Sequence, residues 1–424
     1  MFLIKLPYHK TYLDLPLEPG PKVRLLTPEN HEYTPDGTQE EIVRRALANP
    51  IASPPLSELV KGKKNIVIIS SDHTRPVPSH INIPLMLEEI KKGNPDADVT
   101  ILVATGMHRP TTDEELLAKF GQKVVDEVKI VNHLSEKDED MAFLGILPSG
   151  GELWVNKLAV EADLLLADGF IEPHFFAGFS GGRKSVLPGV ASRKTVMYNH
   201  NSTFISSPYA RTGNLENNPI HRDMLFAAEK AKLAFVLNVV INAKKEIIYA
   251  VAGHTVEAHL KGCAFVRELV AAKPIPGDIV ISTNGGYPLD QNLYQAVKGM
   301  TAAEATAKPG AVIIMVAGCS DGLGGEDFYH QLADFPSPQA AMDTFLSTAK
   351  EDTPADQWES QILCRMLIKY KVIMVSDPKL AGRFRDMHLD YAETLEEALT
   401  MAKAIKGDDA EITVIPDGVG VIVG

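Results

Sequence analysis

At 424 residues, 45% of them apolar and 23% charged, the chain is long enough for two hydrophobic cores and reads as globular. Its 42 Lys and Arg against 55 Asp and Glu give a net charge of −13, which disfavours nonspecific binding to nucleic acid. Cys263, Cys319 and Cys364 lie too far apart for a disulfide framework or a CxxC metal site, and no apolar run approaches the roughly 18 residues of a membrane span, so a cytoplasmic protein without a membrane anchor is expected.

Residues 1–60 are rich in proline and acids, with a strand expected near residues 1–6 and a helix over Gln39–Ala48. From 64 to 70 the run is β-branched throughout, as in a strand buried on both faces. It ends in Ser71-Asp-His-Thr-Arg-Pro76, and a helical pattern follows over 85–92. A second buried strand, 99–104, ends in Thr105-Gly-Met-His-Arg-Pro110, after which 111–115 starts a helix with acids in its first turn. Residues 124–131 read as a third strand, 156–160 as helical and 162–167 as another buried strand, which runs into Asp168-Gly-Phe-Ile-Glu-Pro-His174. Beyond it come a helix (220–231), two strands (233–241 and 246–251), a helix (256–271) and the linker Ala272-Lys-Pro-Ile-Pro-Gly277. The alternation then restarts, with strands at 278–282, 311–316 and 372–376, a helix from about Asn292 and an amphipathic helix at 395–405.

Strands alternating with helices imply parallel sheets with right-handed crossovers. The expected architecture is α/β: two domains, 1–272 and 277–405, each with a mainly parallel sheet flanked by helices, the active site in the interdomain cleft, and the closing run 406–424 completing the first domain. In such sheets ligands sit beyond the carboxyl ends of the strands. Three of those ends carry Asp72, His73 and Arg75, then His108 and Arg109, then His174.

The loop Gly178-Phe-Ser-Gly-Gly-Arg-Lys-Ser-Val-Leu-Pro-Gly189 follows at once. Four glycines around Arg183 and Lys184 suit an anion held by backbone N–H groups and cations, a phosphate above all; a solvated basic loop is the plainer alternative. A Walker P-loop fails because Arg183 stands where glycine is required. His108, His174 and His200 could form a three-imidazole zinc centre, although none shows close pair spacing. Further on, Gln295 and Lys298 share a helix face next to Tyr294, which reads either as a pocket wall or as an exposed polar face.

Assembled, Asp72-His-Thr-Arg-Pro76, Gly106-Met-His-Arg-Pro110, His174-Phe-Phe-Ala-Gly-Phe-Ser-Gly-Gly-Arg-Lys-Ser185, Tyr198-Asn-His200, Asn284-Gly-Gly-Tyr-Pro-Leu-Asp-Gln-Asn-Leu-Tyr-Gln-Ala-Val-Lys298 and Asp356-Gln-Trp358 resemble, nearly end to end, the nickel-dependent lactate racemase family. The resemblance implies an isomerase whose cofactor is a nickel pincer nucleotide, a nickel-pyridinium-3,5-bisthiocarboxylic acid mononucleotide. It would be joined to Lys184, with His200 as the protein's nickel ligand. Asp72, Thr74, Arg75, Gly178, Ser180, Gly181, Gly182 and Ser185 are implied to hold the cofactor. His108 and His174 would be the two bases, one for each hand, taking the hydroxyl proton while hydride leaves the chiral carbon and pyruvate forms in passing. Arg75, Tyr294, Gln295, Lys298 and Trp358 would hold the substrate, and Asp72 would orient a neighbouring group. Lactate is the first expectation; malate or a bulkier 2-hydroxy acid, or a noncatalytic nucleotide-binding module, are the alternatives. Cofactor-making maturation proteins are the implied partners.

Overall fold

The computed structural model describes residues 4–15, 17, 22–28, 33–242 and 244–424. Twelve of its strands form two six-stranded sheets. In chain order they are β1 (Val23–Leu25), β2 (Asn65–Ser71), β3 (Asp98–Ala104), β4 (Lys129–Asn132), β5 (Leu164–Phe170), β6 (Leu233–Ile241), β7 (Ile247–Gly253), β8 (Gly277–Thr283), β9 (Ala307–Val316), β10 (Lys371–Val375), β11 (Asp390–Ala392) and β12 (Ile412–Ile415). The chain divides into an N-terminal unit, 32–200 with 207–267, and a C-terminal unit, 1–31, 201–206 and 268–424. Both are α/β with mainly parallel sheets flanked by helices.

The N-terminal sheet has the order β7-β6-β5-β2-β3-β4, parallel except for the hairpin partner β7. Its central strands need apolar side chains on both faces because helices cover both. Ile66 and Ile68 of β2, Ile101 of β3 and Leu166 of β5 are fully buried with Leu56, Met86 and Phe235, each such side chain contributing roughly 1.5–3 kcal/mol. The C-terminal sheet, β11-β10-β9-β8-β12-β1, is parallel throughout, with Ile281, Ile314 and Ile373 in its core.

Three expectations are corrected. Residues 122–127 are helix, and only Lys129–Asn132 is strand: Gly121, at φ +81°, ends one helix and opens the next, so Val124 and Val125 pack inward as a helical turn. The closing run does not return to the first domain. β12 lies inside the C-terminal sheet between β8 and β1, and Ile422–Val423 pairs with Ala271–Ala272 in what was expected to be the linker. The helix expected over 85–92 starts earlier, at Ser79, and carries Pro84 within it. An antiparallel hairpin, Met141–Ile146 with Glu152–Asn156, was not expected; it is bulged beyond Phe143 and half-exposed, so it lacks a clean alternation. The strand expected near 1–6 is Ile4–Tyr8, residues 1–3 lying outside the described ones.

Candidate active site

The carboxyl ends of β2, β3 and β5 lie at the same end of the sheet, and a buried carboxylate ties β5 to β2 and to the helix that follows β2. Asp168 of β5 accepts from Ser70 Oγ of β2 (2.9 Å) and from Ser79 Oγ (2.6 Å) and Asn82 Nδ2 (2.7 Å) of the helix Ser79–Gly93. Asp72 follows directly after β2, itself buried. Its Oδ1 accepts from the Thr74 backbone N–H (3.1 Å) and hydroxyl (2.6 Å), and Oδ2 lies 2.7 Å from His108 Nδ1. Burial pushes the Asp72 acid up, but the His108 bond, the Thr74 hydroxyl and the Arg75 cation outweigh it and hold the acid down at about 2. Asp72 therefore faces His108 as a carboxylate, so His108 Nδ1 is the donor and Nε2 carries the lone pair or the exchangeable proton. The His108 ring is 46% exposed. Arg75 Nη1 donates to the Thr74 hydroxyl (2.8 Å).

The other polar groups at these strand ends do structural work. Thr112 and Glu115 form a capping box on the helix Asp113–Phe120, Arg109 pairs with Glu115 through two bonds of 2.8 and 2.6 Å, and His73 Nδ1 lies 3.2 Å from Thr111 Oγ1. His73 and Arg109 thus stand apart from the Asp72–His108 pair.

The glycine-rich loop is shaped by its own protein neighbours. A Cβ at Gly178 (φ +81°) would meet the Asn214 carbonyl at 2.3 Å, and one at Gly182 (φ +53°) would meet the His259 ring at 2.7 Å. Gly182 N–H donates to Asn238 Oδ1 (2.9 Å), and the Ser180 hydroxyl bridges the Glu172 N–H (2.9 Å) and the Phe170 carbonyl (3.1 Å). Residues Gly182–Ser185 make a single 3-10 turn.

Arg183 departs from expectation. It is fully buried, donating to Ala177 O (2.8 Å), Gly181 O (3.3 Å) and His221 Nδ1 (2.9 Å), with His259 Nε2 at 3.0 Å. Its five donors point into the fold, so it fastens the loop from beneath and does not present a cation to an anion above it. Burial lowers the guanidinium to about 10, and burial together with the Arg183 charge holds His221 down at about 3.

Lys184, the other cation, is only partly buried. Its Nζ lies 5.9 Å from the centroid of the Phe176 ring, and the same ring meets His174 edge-on at 4.5 Å and His200 edge-on at 5.2 Å. One buried phenylalanine thus gathers three predicted site residues. The histidines differ in what faces Nδ1. At His174 it accepts from the Ala177 N–H (3.2 Å), which puts the proton of the neutral ring on Nε2. At His200 it lies 3.0 Å from the Val196 carbonyl, to which it donates, leaving the lone pair on Nε2. Burial first, then the nearby Lys184 charge, lowers His200 to about 3 against the raising effect of that carbonyl, so the ring is neutral at ordinary pH. The His108 turn and this loop are joined, since Gly106 N–H donates to Gly189 O (3.0 Å) and Gly189 N–H to Lys184 O (3.1 Å).

In the C-terminal unit, β8 ends at Thr283 and the helix Leu293–Thr306 starts under an Asn292 cap. Asn284 pins that start, donating to Gln295 O (2.7 Å) and accepting from Gly299 N–H (2.8 Å). Lys298 Nζ donates to Gln295 Oε1 (2.6 Å), as their spacing predicts, and Trp358 Nε1 donates to the Tyr294 hydroxyl (3.0 Å). Burial, then the Glu359 and Asp356 charges, raises Tyr294 well above its ordinary value.

The lactate racemase N-terminal domain matches residues 8–213, and the lactate racemase C-terminal domain matches residues 272–423. The chain belongs to the lactate racemase family. It is 56% identical over 421 residues to the lactate racemase of Thermoanaerobacterium thermosaccharolyticum, covering 99% of each chain. To that of Lactiplantibacillus plantarum it is 54% identical over 423 residues, covering both completely. The structure of the lactate racemase apoprotein from T. thermosaccharolyticum superposes with a TM-score of 0.96 at 55% identity over all of both chains. A Thermotoga maritima protein, 20% identical with a TM-score of 0.66 over 92% of this chain, shares the fold. As a member of the lactate racemase family the chain is an isomerase, a racemase.

Three residues of this site went unremarked as functional in the sequence. Phe176 was visible only as an aromatic in a loop. Asn238 lies within the apolar run of β6, where a lone buried amide was the available signal. Lys119, on an otherwise ordinary amphipathic helix, is buried and donates to the Arg75 carbonyl (3.3 Å); burial lowers it to about 8 against the pull of Asp168 and Asp72.

Proposed function

We propose that the chain interconverts D- and L-lactate, using a nickel pincer nucleotide tethered to Lys184 with His200 as the protein's ligand to nickel. The observation that carries this is the set around Phe176: an amine, a neutral buried imidazole whose lone pair is on Nε2, and a second imidazole, all within reach of one ring. Among the described residues no group of three or more His, Cys, Asp or Glu could hold a metal, so a metal here has to arrive with most of its ligands. A pincer nucleotide meets that requirement, and a zinc centre built on His108, His174 and His200 does not. Bound there, the group would supply a hydride acceptor that lets the C–H bond at the chiral carbon break and re-form.

The chain's own residues supply the rest. His108, oriented by Asp72, takes the hydroxyl proton at Nε2, and the Asp72 carboxylate stabilises the imidazolium that results. In the tautomer set by Ala177, His174 offers its Nε2–H as a hydrogen bond to the carbonyl oxygen of the transient 2-oxo acid. For the other hand it takes the hydroxyl proton at Nε2 from the tautomer with the proton on Nδ1, giving up the Ala177 bond, and later returns that proton as imidazolium. In the C-terminal unit Lys298, steadied by Gln295, is the anchor for a carboxylate, with Tyr294 and Trp358 bonded to each other in the same unit; in the N-terminal unit Arg75 is the cation next to the Asp72–His108 pair. Asp72, Thr74 and the Gly178–Ser185 backbone complete the cofactor's surroundings. Maturation proteins that build the cofactor are the partners this reading requires, and three buried free thiols suit a cytoplasmic setting.

Intact-mass measurement after co-expression with the cofactor-making enzymes should show an adduct lost in Lys184→Ala. An unmodified lysine in active enzyme would remove the tether. Racemisation of D- against L-lactate, compared with malate and bulkier 2-hydroxy acids, tests the substrate.

A further inference from the structure

The helix Gln357–Lys369 of the C-terminal unit opens with polar side chains buried in a row: Gln357, Glu359 and Ser360 completely, Gln361 almost so. Ser360 donates to Gln331 Oε1 (2.7 Å), and Gln361 Nε2 to Ser202 O (2.8 Å) and Ser206 Oγ (2.7 Å). Gln357 and Glu359 are both without a hydrogen-bond partner among the described residues, and Glu359 is the one that can carry a charge, with both carboxyl oxygens buried. An ionised carboxylate is strongly disfavoured in such a place, so its protonation state depends on the charges around it.

Those charges are few. The helix Leu293–Thr306 packs against this one, and its Lys298 charge acts on Glu359, as does the Asp356 carboxylate at the start of Glu359's own helix; Tyr294 feels the Glu359 and Asp356 charges in turn. The helices Ser202–Ser206 and Glu326–Ala333 present the uncharged partners named above, and Pro338–Ser347 presents Ala341, Met342 and Phe345. Further along, Arg365 is paired with Glu304 at 2.6 Å.

We infer that Glu359 is a positioning residue that controls whether Lys298 is available to an anionic substrate. Protonated, Glu359 leaves the ammonium to the incoming carboxylate; ionised, it takes Lys298 as its own counter-ion and competes with the substrate. This rests on the reading of Lys298 as the carboxylate anchor. Burial pushes the Glu359 acid up, Lys298 draws it back and Asp356 adds to the rise, leaving it at about 8. Its ionised form therefore grows in as pH rises through about 8. An anion that neutralises Lys298 then drives Glu359 to take one proton from solvent, and binding weakens with rising pH.

Calorimetric titration of cofactor-loaded enzyme with sodium oxamate, in buffers of different ionisation enthalpy at pH 7, 8 and 9, reads the proton directly. Uptake should grow toward one proton per site, and KM for lactate should climb by up to about tenfold per pH unit above 8 while kcat changes much less. In Glu359→Gln the uptake should vanish and KM should stay flat, with kcat within about threefold of the parent. Wild-type enzyme that takes up no proton at pH 8 and 9, or a Glu359→Gln enzyme with wild-type uptake, overturns the inference. Lys298→Ala separates the two claims: an unchanged KM removes the anchor and the inference with it, whereas a raised KM without proton uptake in the wild type removes the inference alone.

Discussion

His108 and His200 belong to the same unit and both bond through Nδ1, yet their surroundings suit opposite tasks. Behind His108 stands a carboxylate held at about 2, and the ring is 46% exposed. Behind His200 stands a backbone carbonyl, and the ring is buried with a lysine charge nearby. A carboxylate stabilises an imidazolium and so permits a proton to come and go. A carbonyl fixes the tautomer but, beside burial and Lys184, does not keep the ring charged. The lesson is that the atom facing the remote nitrogen, with the dielectric around it, separates a proton carrier from a permanent electron-pair donor.

Breaking the His200 side should have the largest effect. His200→Ala removes the lone pair and should lower kcat by about a thousandfold or more, with metal analysis showing depleted nickel; near-normal turnover would show that the ring is only packing. Next comes Asp72→Asn, which keeps the shape and removes the charge, and should cost about a hundredfold in kcat with KM little altered. The same substitution has a stability signature. The Asp72 acid sits at about 2 in the folded chain against roughly 3.9 unfolded, so its contribution, on the order of 2 kcal/mol, is fully present above pH 4 and disappears as pH falls through 2. Acid unfolding of the two proteins should therefore converge at the low end. Phe176→Leu loosens the ring that His174 and His200 meet edge-on and should cost about tenfold in kcat/KM. Smallest is Arg109→Ala: its pair with Glu115 is exposed, and kcat/KM should stay within about twofold. A large loss there would redraw the boundary between the helix cap and the Asp72–His108 pair.

Much of this was legible in the chain. β2, β3 and β5 are apolar on both faces, so their β-branched runs mark them, and the rule that ligands gather beyond strand ends points to Asp72, His108 and His174. What escaped depends on contacts distant in sequence. Arg183 and Lys184 look alike on paper, two cations in one glycine loop. Only His221 and His259, 38 and 76 residues away, turn Arg183 inward. β12 was misassigned because a short apolar strand carries no label for its sheet; its register with β8 and β1 decides that. The tautomers of His174 and His200 rest on backbone groups, which no side-chain pattern reveals.

The pairing of β1 with β12 also bears on how the protein is made. β1 leaves the ribosome ahead of the whole N-terminal unit, while the strand that shelters it is the last of its sheet to emerge. The N-terminal unit can therefore collapse around its own sheet while β1 waits, its edge unsatisfied, for a partner still to be translated. Closure of the second sheet becomes a late event in synthesis, and a chain cut after residue 405 would leave β8 and β1 as bare edges open to other chains.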